Sequence, residues 1–273
     1  MYNAEGKFVL RRAVLNITYR CNLRCKLCVT GGPRYKVAPH YSFNYLAETM
    51  HRFFKIVDYV EWYELSGGEP FIHPDLAELI DCAMSFKKQF DKLLIITNGS
   101  LLPHSAVISA MQRHAADIMV FISDYGELSS NVKELTELLL SLNIDCKIKS
   151  YHGDNQYFGG WVDYGSWERR NDSPTDLAAK FKRCGASKMQ GIFTTHAGTM
   201  HWCVRSAKGL VVDKLIPEEA SDYIDLFDDA LSVEQQRSKI VSLFNKPYIS
   251  VCNYCDGDGD NAQRRYPAAE QLS

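Results

Sequence analysis

The chain has 273 residues, of which 46% are hydrophobic, 12% aromatic and 23% charged; these are the proportions of a folded globular protein and exclude a disordered, collagen-like or coiled-coil chain. A formal net charge of −2 gives no sign of nucleic acid or an anionic membrane as partner. No apolar run reaches the roughly 18 residues of a spanning helix, and Lys7, Arg11 and Arg12 break up any signal-peptide core, so a cytoplasmic protein with a small-molecule substrate is expected.

From about residue 12 to residue 151, short apolar runs alternate with helix-length amphipathic stretches. The predicted strands are Ala13–Thr18, Trp62–Leu65, Leu93–Thr97, Ile118–Ser123 and Cys146–Tyr151. Between them lie predicted helices over Ser42–Val57, Asp75–Phe90, Ser105–His114 and Asn131–Leu142. This is the β-α-β rhythm of a parallel sheet. Ser42 can cap the first helix, and Asp75 with Glu78 three residues on has the pattern of a capping box. A sixth short strand is expected at Trp161–Tyr164, followed by a helix from Asp176 to Arg183. Beyond it, Gln190–Thr195 and Met200–Val204, joined through Ala197-Gly198-Thr199, read as a β-hairpin, with a last helix over Val233–Phe244. A boundary is expected near residue 180, giving units 1–180 and 181–273.

Strand ends carry the unusual residues, and loops at the carboxyl ends of parallel strands are where α/β proteins place their chemistry. After the first strand comes Cys21-Asn-Leu-Arg-Cys25-Lys-Leu-Cys28. In a reducing compartment such spacing points to metal ligands or redox groups and seldom to disulfides. Three thiolates can hold a cubane iron–sulfur cluster with one iron left open; a zinc site completed from afar, or structural cysteines clustered by chance, are the alternatives. Ser66-Gly67-Gly68-Glu69-Pro70 ends the second strand, where glycines permit close backbone approach and polar groups can satisfy an ammonium.

A CX3CX2C loop on the first strand followed by GGEP on the second resembles the radical S-adenosylmethionine (radical SAM) superfamily, over roughly residues 10–165. The resemblance implies a partial, TIM-like (β/α)6 barrel. It implies that Cys21, Cys25 and Cys28 hold a 4Fe-4S cluster whose open iron chelates S-adenosylmethionine. Gly67, Gly68 and Glu69 would take the ammonium of that cofactor. Asn98 and Ser123, at the ends of the third and fourth strands, would contact its ribose or carboxylate, with Lys149 as a further carboxylate partner. The residue before Cys28 is often an aromatic that stacks on adenine; here it is Leu27, which makes that contact apolar.

Cys184, Gly198, Cys203 and the pair Cys252 and Cys255 form a second set, whose spacing alone fits a four-cysteine zinc knuckle. Their order also resembles the twitch domain, a truncated SPASM fold that follows radical SAM cores. There the four cysteines complete an auxiliary 4Fe-4S cluster, and the shorter pattern leaves room for one such cluster only. Cys82 and Cys146 remain and look structural. Asp256-Gly-Asp-Gly-Asp260 lacks the Gly and Glu that a calcium loop needs at its sixth and twelfth positions. His152 falls where a substrate would lie, though a surface loop histidine fits as well.

The resemblance implies reductive cleavage of S-adenosylmethionine to a 5′-deoxyadenosyl radical, with an electron donor such as flavodoxin or ferredoxin. A fully protein-ligated auxiliary cluster would then accept an electron from the substrate radical. Small twitch-bearing members include a dehydrogenase acting on a cyclitol in 2-deoxystreptamine synthesis. The expected reaction is therefore oxidation of a secondary alcohol on a cyclitol, amino sugar or related saccharide. The alternatives are a peptide-modifying enzyme or epimerase, against which the short stretch before the first strand leaves no room for a leader-peptide-binding domain, and a non-enzymatic metal scaffold.

Overall fold

A computed structural model describes residues 1–157, 161–185, 192–217, 219–257 and 266–273. One mixed sheet of eight strands runs through it in the order β5-β4-β3-β2-β1-β6-β7-β8, open and not closed into a barrel. The strands are β1 (Val9–Thr18), β2 (Tyr59–Gly67), β3 (Phe90–Thr97), β4 (Ile118–Asp124), β5 (Asp145–Ser150), β6 (Ile192–His196), β7 (Thr199–His201) and β8 (Tyr223–Asp225). Strands β1 to β6 are mutually parallel, and β7 and β8 add on antiparallel.

The helices between the first five strands are α1 (Phe43–Ile56), α2 (Leu76–Met84), α3 (Ser105–Arg113) and α4 (Val132–Ser141). α1 starts where the Ser42 hydroxyl accepts the Tyr45 N–H, and it buries Leu46, Met50, Phe53 and Phe54 at helical spacing. Phe54 stacks on Phe86 at 4.6 Å and meets Tyr63 at 4.8 Å, anchoring α1 to β2. Truncating such a side chain costs about 3–5 kcal/mol. α5 (Pro174–Arg183) and α6 (Val233–Phe244) are capped by Ser173 and Ser232, the latter in a full capping box with Gln235.

Several expectations are corrected. The sixth parallel strand is not Trp161–Tyr164: β6, the first arm of the hairpin, takes that place by pairing with β1. The second hairpin arm, Thr199–His201, is shorter than the expected Met200–Val204, the start of the first arm at Gln190 lies outside the described residues, and β8 was not foreseen. Asp75 makes no side-chain cap, because its backbone (φ −97°, ψ 20°) is not in the extended conformation that turns a capping carboxylate back onto the helix. α2 stops at Met84, and Phe90, which the sequence reading put at its end, opens β3. Among the described residues no helix is long and apolar enough to cross a membrane.

Register assigns the two faces. Ala13, Leu15 and Ile17 of β1 are buried in the core, while Arg12, Val14 and Asn16 line a cavity on the other face. Glu64 and Ser66 of β2 and Thr194 of β6 line the same cavity.

Candidate active site

The ends of β1 and β2 meet backbone to backbone. Gly68 N–H donates to the Thr18 carbonyl at 2.7 Å, and Glu69 N–H to the Arg20 carbonyl at 2.9 Å. A Cβ on Gly67, which sits at φ 141°, would stand 2.1 Å from the Thr18 oxygen. The two glycines therefore let the GGEP turn lie against the start of the cysteine loop.

Glu69 is fully buried, and its carboxylate accepts hydrogen bonds from Phe71 N–H (3.1 Å), Thr97 Oγ1 (2.9 Å) and Asn98 N–H (2.8 Å). It thereby ties the end of β2 to the end of β3. Burial still pushes its carboxyl up to about 7, against the lowering effect of those donors. The Asn98 side chain continues the chain of contacts, with Nδ2 on Asn22 Oδ1 at 3.0 Å and 3.6 Å from Cys21 Sγ.

All nine cysteines are free thiols. In the first set, Cys21 Sγ accepts Leu23 N–H at 3.4 Å, and Cys25 Sγ accepts Gln271 Nε2 at 3.3 Å. Cys28 Sγ lies 3.0 Å from Thr30 Oγ1. Burial pushes the Cys21 thiol up to about 12 and Cys25 to about 11, with their neighbouring cysteines adding to the rise. In the second set, Cys203 Sγ accepts Ser206 N–H at 3.4 Å and Cys255 Sγ accepts Gly257 N–H at 3.3 Å. Burial, and the proximity of Cys184 among others, raises Cys203, Cys252 and Cys255 as well. Lys180 Nζ holds the carbonyls of Cys252 (3.0 Å) and Cys255 (2.9 Å). Arg205 bonds the Tyr254 carbonyl and lies 3.9 Å over the Trp167 ring.

Among the described residues no three His, Cys, Asp or Glu side chains converge tightly enough on one point to hold a single metal ion. A cubane makes a different demand, since each thiolate binds a different iron and the sulfurs stand apart. The donor chemistry fits it: each set is thiol only, and each has N–H groups aimed at sulfur, the outer contacts that tune iron–sulfur groups.

Both sets border one cavity of about 370 Å³. Leu27 and Cys28 line it from the first loop, and Cys184, Cys203, Cys252 and Cys255 from the second set. Arg12 Nε donates to Glu64 Oε2 at 2.7 Å on its wall. Of the other expected residues, Asn98 and Ser123 are buried at the ends of β3 and β4. Neither they nor Lys149 line this cavity; the Lys149 ammonium sits 4.9 Å over the Tyr151 ring. His152 is also outside it, 3.1 Å from Asp124 Oδ2. Cys82 and Cys146 pack against the hydrophobic core, and register pairs Cys146 with the fully buried Val120. Asp258 to Asp260 of the acidic turn lie outside the described residues. Gln271, Lys180 and Arg205 were missed by sequence reasoning, because each serves a cysteine loop distant in the chain, and Asn22, inside the first cysteine loop, was missed because its partners Asn98 and Ser100 come from the end of β3.

No family model matches the chain. GTP 3′,8-cyclase of Aliarcobacter butzleri (strain RM4018) is 33% identical over 94 residues, 34% of this chain and 28% of that protein. The chain is matched to between 23% and 30% of the lengths of the first curated relatives. Native anSMEcpe with bound AdoMet superposes with a TM-score of 0.54 at 12% identity, covering 94% of this chain and 93% of that one. BtrN in complex with AdoMet and 2-DOIA gives 0.52 at 12% identity, covering 96% and 98%. At 12% identity these two structures share the fold with this chain, and the sequence match to the cyclase covers about a third of it.

Proposed function

We propose that the chain is a radical SAM oxidoreductase that dehydrogenates an alcohol carbon of a cyclitol, amino sugar or related saccharide. The single observation that carries this reading is one cavity lined both by Cys28 of the first set and by all four cysteines of the second. A substrate there would border both proposed iron–sulfur sites. When bound, a 4Fe-4S group at Cys21, Cys25 and Cys28 with S-adenosylmethionine supplies hydrogen-atom abstraction, and one at Cys184, Cys203, Cys252 and Cys255 supplies an electron acceptor.

The chain's own residues position and select. Arg12, Asn16, Glu64, Ser66 and Thr194 give the cavity wall donors and acceptors suited to several hydroxyl groups. The buried Trp202 indole N–H, on the same wall, has no hydrogen-bond partner among the described residues and offers one more donor. Residues 1–180 would carry the S-adenosylmethionine site, and residues 181–273, as a twitch domain, the auxiliary site. The backbone of Gly67 and Gly68 would face the cofactor ammonium, with the Glu69 carboxylate holding the turn that presents it. The likeness to anSMEcpe, also solved with a Kp18Cys peptide (TM-score 0.53), supports peptide modification as the second reading.

Anaerobically reconstituted protein screened against cyclitols, amino sugars and peptides for 5′-deoxyadenosine above the uncoupled background tests this. A cyclitol or sugar should stimulate it and be converted to the ketone. Stimulation only by peptides, or a product isomeric with the substrate that gains deuterium when formed in heavy water, would overturn the proposal.

A further inference from the structure

The C-terminal residues 266–273 bridge two loops at opposite ends of the five-strand parallel run from β1 to β5. At one end Tyr266 N–H donates to the Trp161 carbonyl and Ala268 N–H to the Gln156 carbonyl, each at 2.8 Å, in the segment that follows β5. At the other end Lys26 N–H donates to the Glu270 carbonyl at 2.7 Å and Leu272 N–H to the Arg24 carbonyl at 2.8 Å. This pairs Cys25 with Gln271 as an antiparallel bridge. The loop after β5 and the cysteine loop after β1 are thus tied to one strap.

The Gln271 side chain has a defined orientation in this bridge. Its Oε1 accepts Arg24 N–H at 2.7 Å, a donor that can meet only the oxygen of the amide. That places Nε2 toward Cys25, where it donates to Sγ at 3.3 Å and to the Ala269 carbonyl at 2.6 Å.

We propose that Gln271 is a positioning residue for the first thiol set, holding the Cys25 sulfur and raising the reduction potential of an iron–sulfur group bound there. The inference rests on the cluster assignment above. Reduction adds negative charge that spreads onto the ligating sulfurs, so an N–H aimed at one of them stabilises the reduced form.

The test uses the full chain, reconstituted anaerobically, and an EPR-monitored titration of the signal that responds to added S-adenosylmethionine. Gln271→Glu keeps an oxygen for Arg24 N–H and removes the donor to sulfur, and Gln271→Leu removes both. Both should load iron as wild type does and show a more negative potential; an unchanged or raised potential overturns the proposal. Hydrogen exchange on the unloaded chain reads the strap without any cluster. Deleting residues 266–273 should speed exchange at the Lys26 amide roughly tenfold, the scale set by one net hydrogen bond, whereas unchanged exchange would also overturn it. A wild-type protein that loads no S-adenosylmethionine-responsive cluster would instead sink the functional reading, leaving the exchange result to decide the strap.

Discussion

Gly68 lies so close to Arg20 that a Cβ built on the glycine would stand 2.0 Å from the Arg20 carbonyl oxygen. The obstacle is backbone, which cannot swing aside as a side chain can. Gly68→Ala must therefore push the start of the cysteine loop away from the GGEP turn and break the adjoining Glu69 N–H bond to Arg20. The expected cost is about 1–3 kcal/mol, read as a lower thermal midpoint, together with poorer iron loading at Cys21, Cys25 and Cys28.

Glu69 predicts a pH dependence. Its carboxyl has an ordinary value of 4.5 and is raised to about 7 in the fold, so the folded state holds the proton more tightly than the unfolded one. For a raised acid, stability falls as pH rises from 4.5 toward about 7 and levels off above, by up to about 1.4 kcal/mol per pH unit. Thermal or urea unfolding of the metal-free chain across that range should show this slope. Glu69→Gln should remove it while lowering overall stability, since a side-chain amide presents only one acceptor oxygen to the three donors.

Much of the fold was legible, because alternation in β1 to β5 and helical spacing in α1 to α4 are local signals. Both thiol sets were legible for the same reason, each being short-range in its densest part. Contacts that only folding creates were not. β6 pairs with β1 across nearly the whole core unit, and nothing in Ile192–His196 distinguishes an ordinary hairpin arm from a sixth parallel strand. Gln271 reaches Cys25 from the far end of the chain and reads in sequence as an ordinary polar residue. The cavity that joins the two thiol sets is likewise a product of packing. Asp75 shows the converse: a capping pattern in the sequence is undone by the backbone angles its turn imposes.

The proposal of two cubane sites sets the expected metal content. Reconstituted wild type should hold about eight irons per chain, four per cluster, and Cys203→Ala or Cys252→Ala about four. Circular dichroism must first show these variants folded, since metal binding contributes to folding in small sites of this kind. Folded variants should still cleave S-adenosylmethionine yet yield no oxidised product. Four irons with stoichiometric zinc in wild type would make the second set a knuckle.

Loading should also release protons. Cys21, Cys25 and Cys252 are held near 12, 11 and 12 by burial, so each is protonated at neutral pH and must lose its proton to bind iron. Cluster assembly is accordingly expected to tighten as pH rises over the range in which the chain stays folded. Titration in two buffers of different ionisation enthalpy checks this, and an absence of proton release would contradict it.

Cys82→Ala and Cys146→Ala should keep turnover and cost about 1 kcal/mol of stability or less. Both thiols pack against the core and neither borders the cavity. Loss of product in folded Cys146→Ala, with 5′-deoxyadenosine still formed and solvent deuterium in the wild-type product, would make Cys146 a hydrogen donor and the reaction an epimerisation.

The most direct test of the central claim is 5′-deoxyadenosine production under reducing, anaerobic conditions by wild type and by the Cys21→Ala, Cys25→Ala, Cys28→Ala triple variant. Wild type should form it from S-adenosylmethionine, and the triple variant should form none while retaining the iron of the second set. Equal cleavage by the two proteins, or none by a fully iron-loaded wild type, would contradict the assignment of the first thiol set as the radical-generating centre.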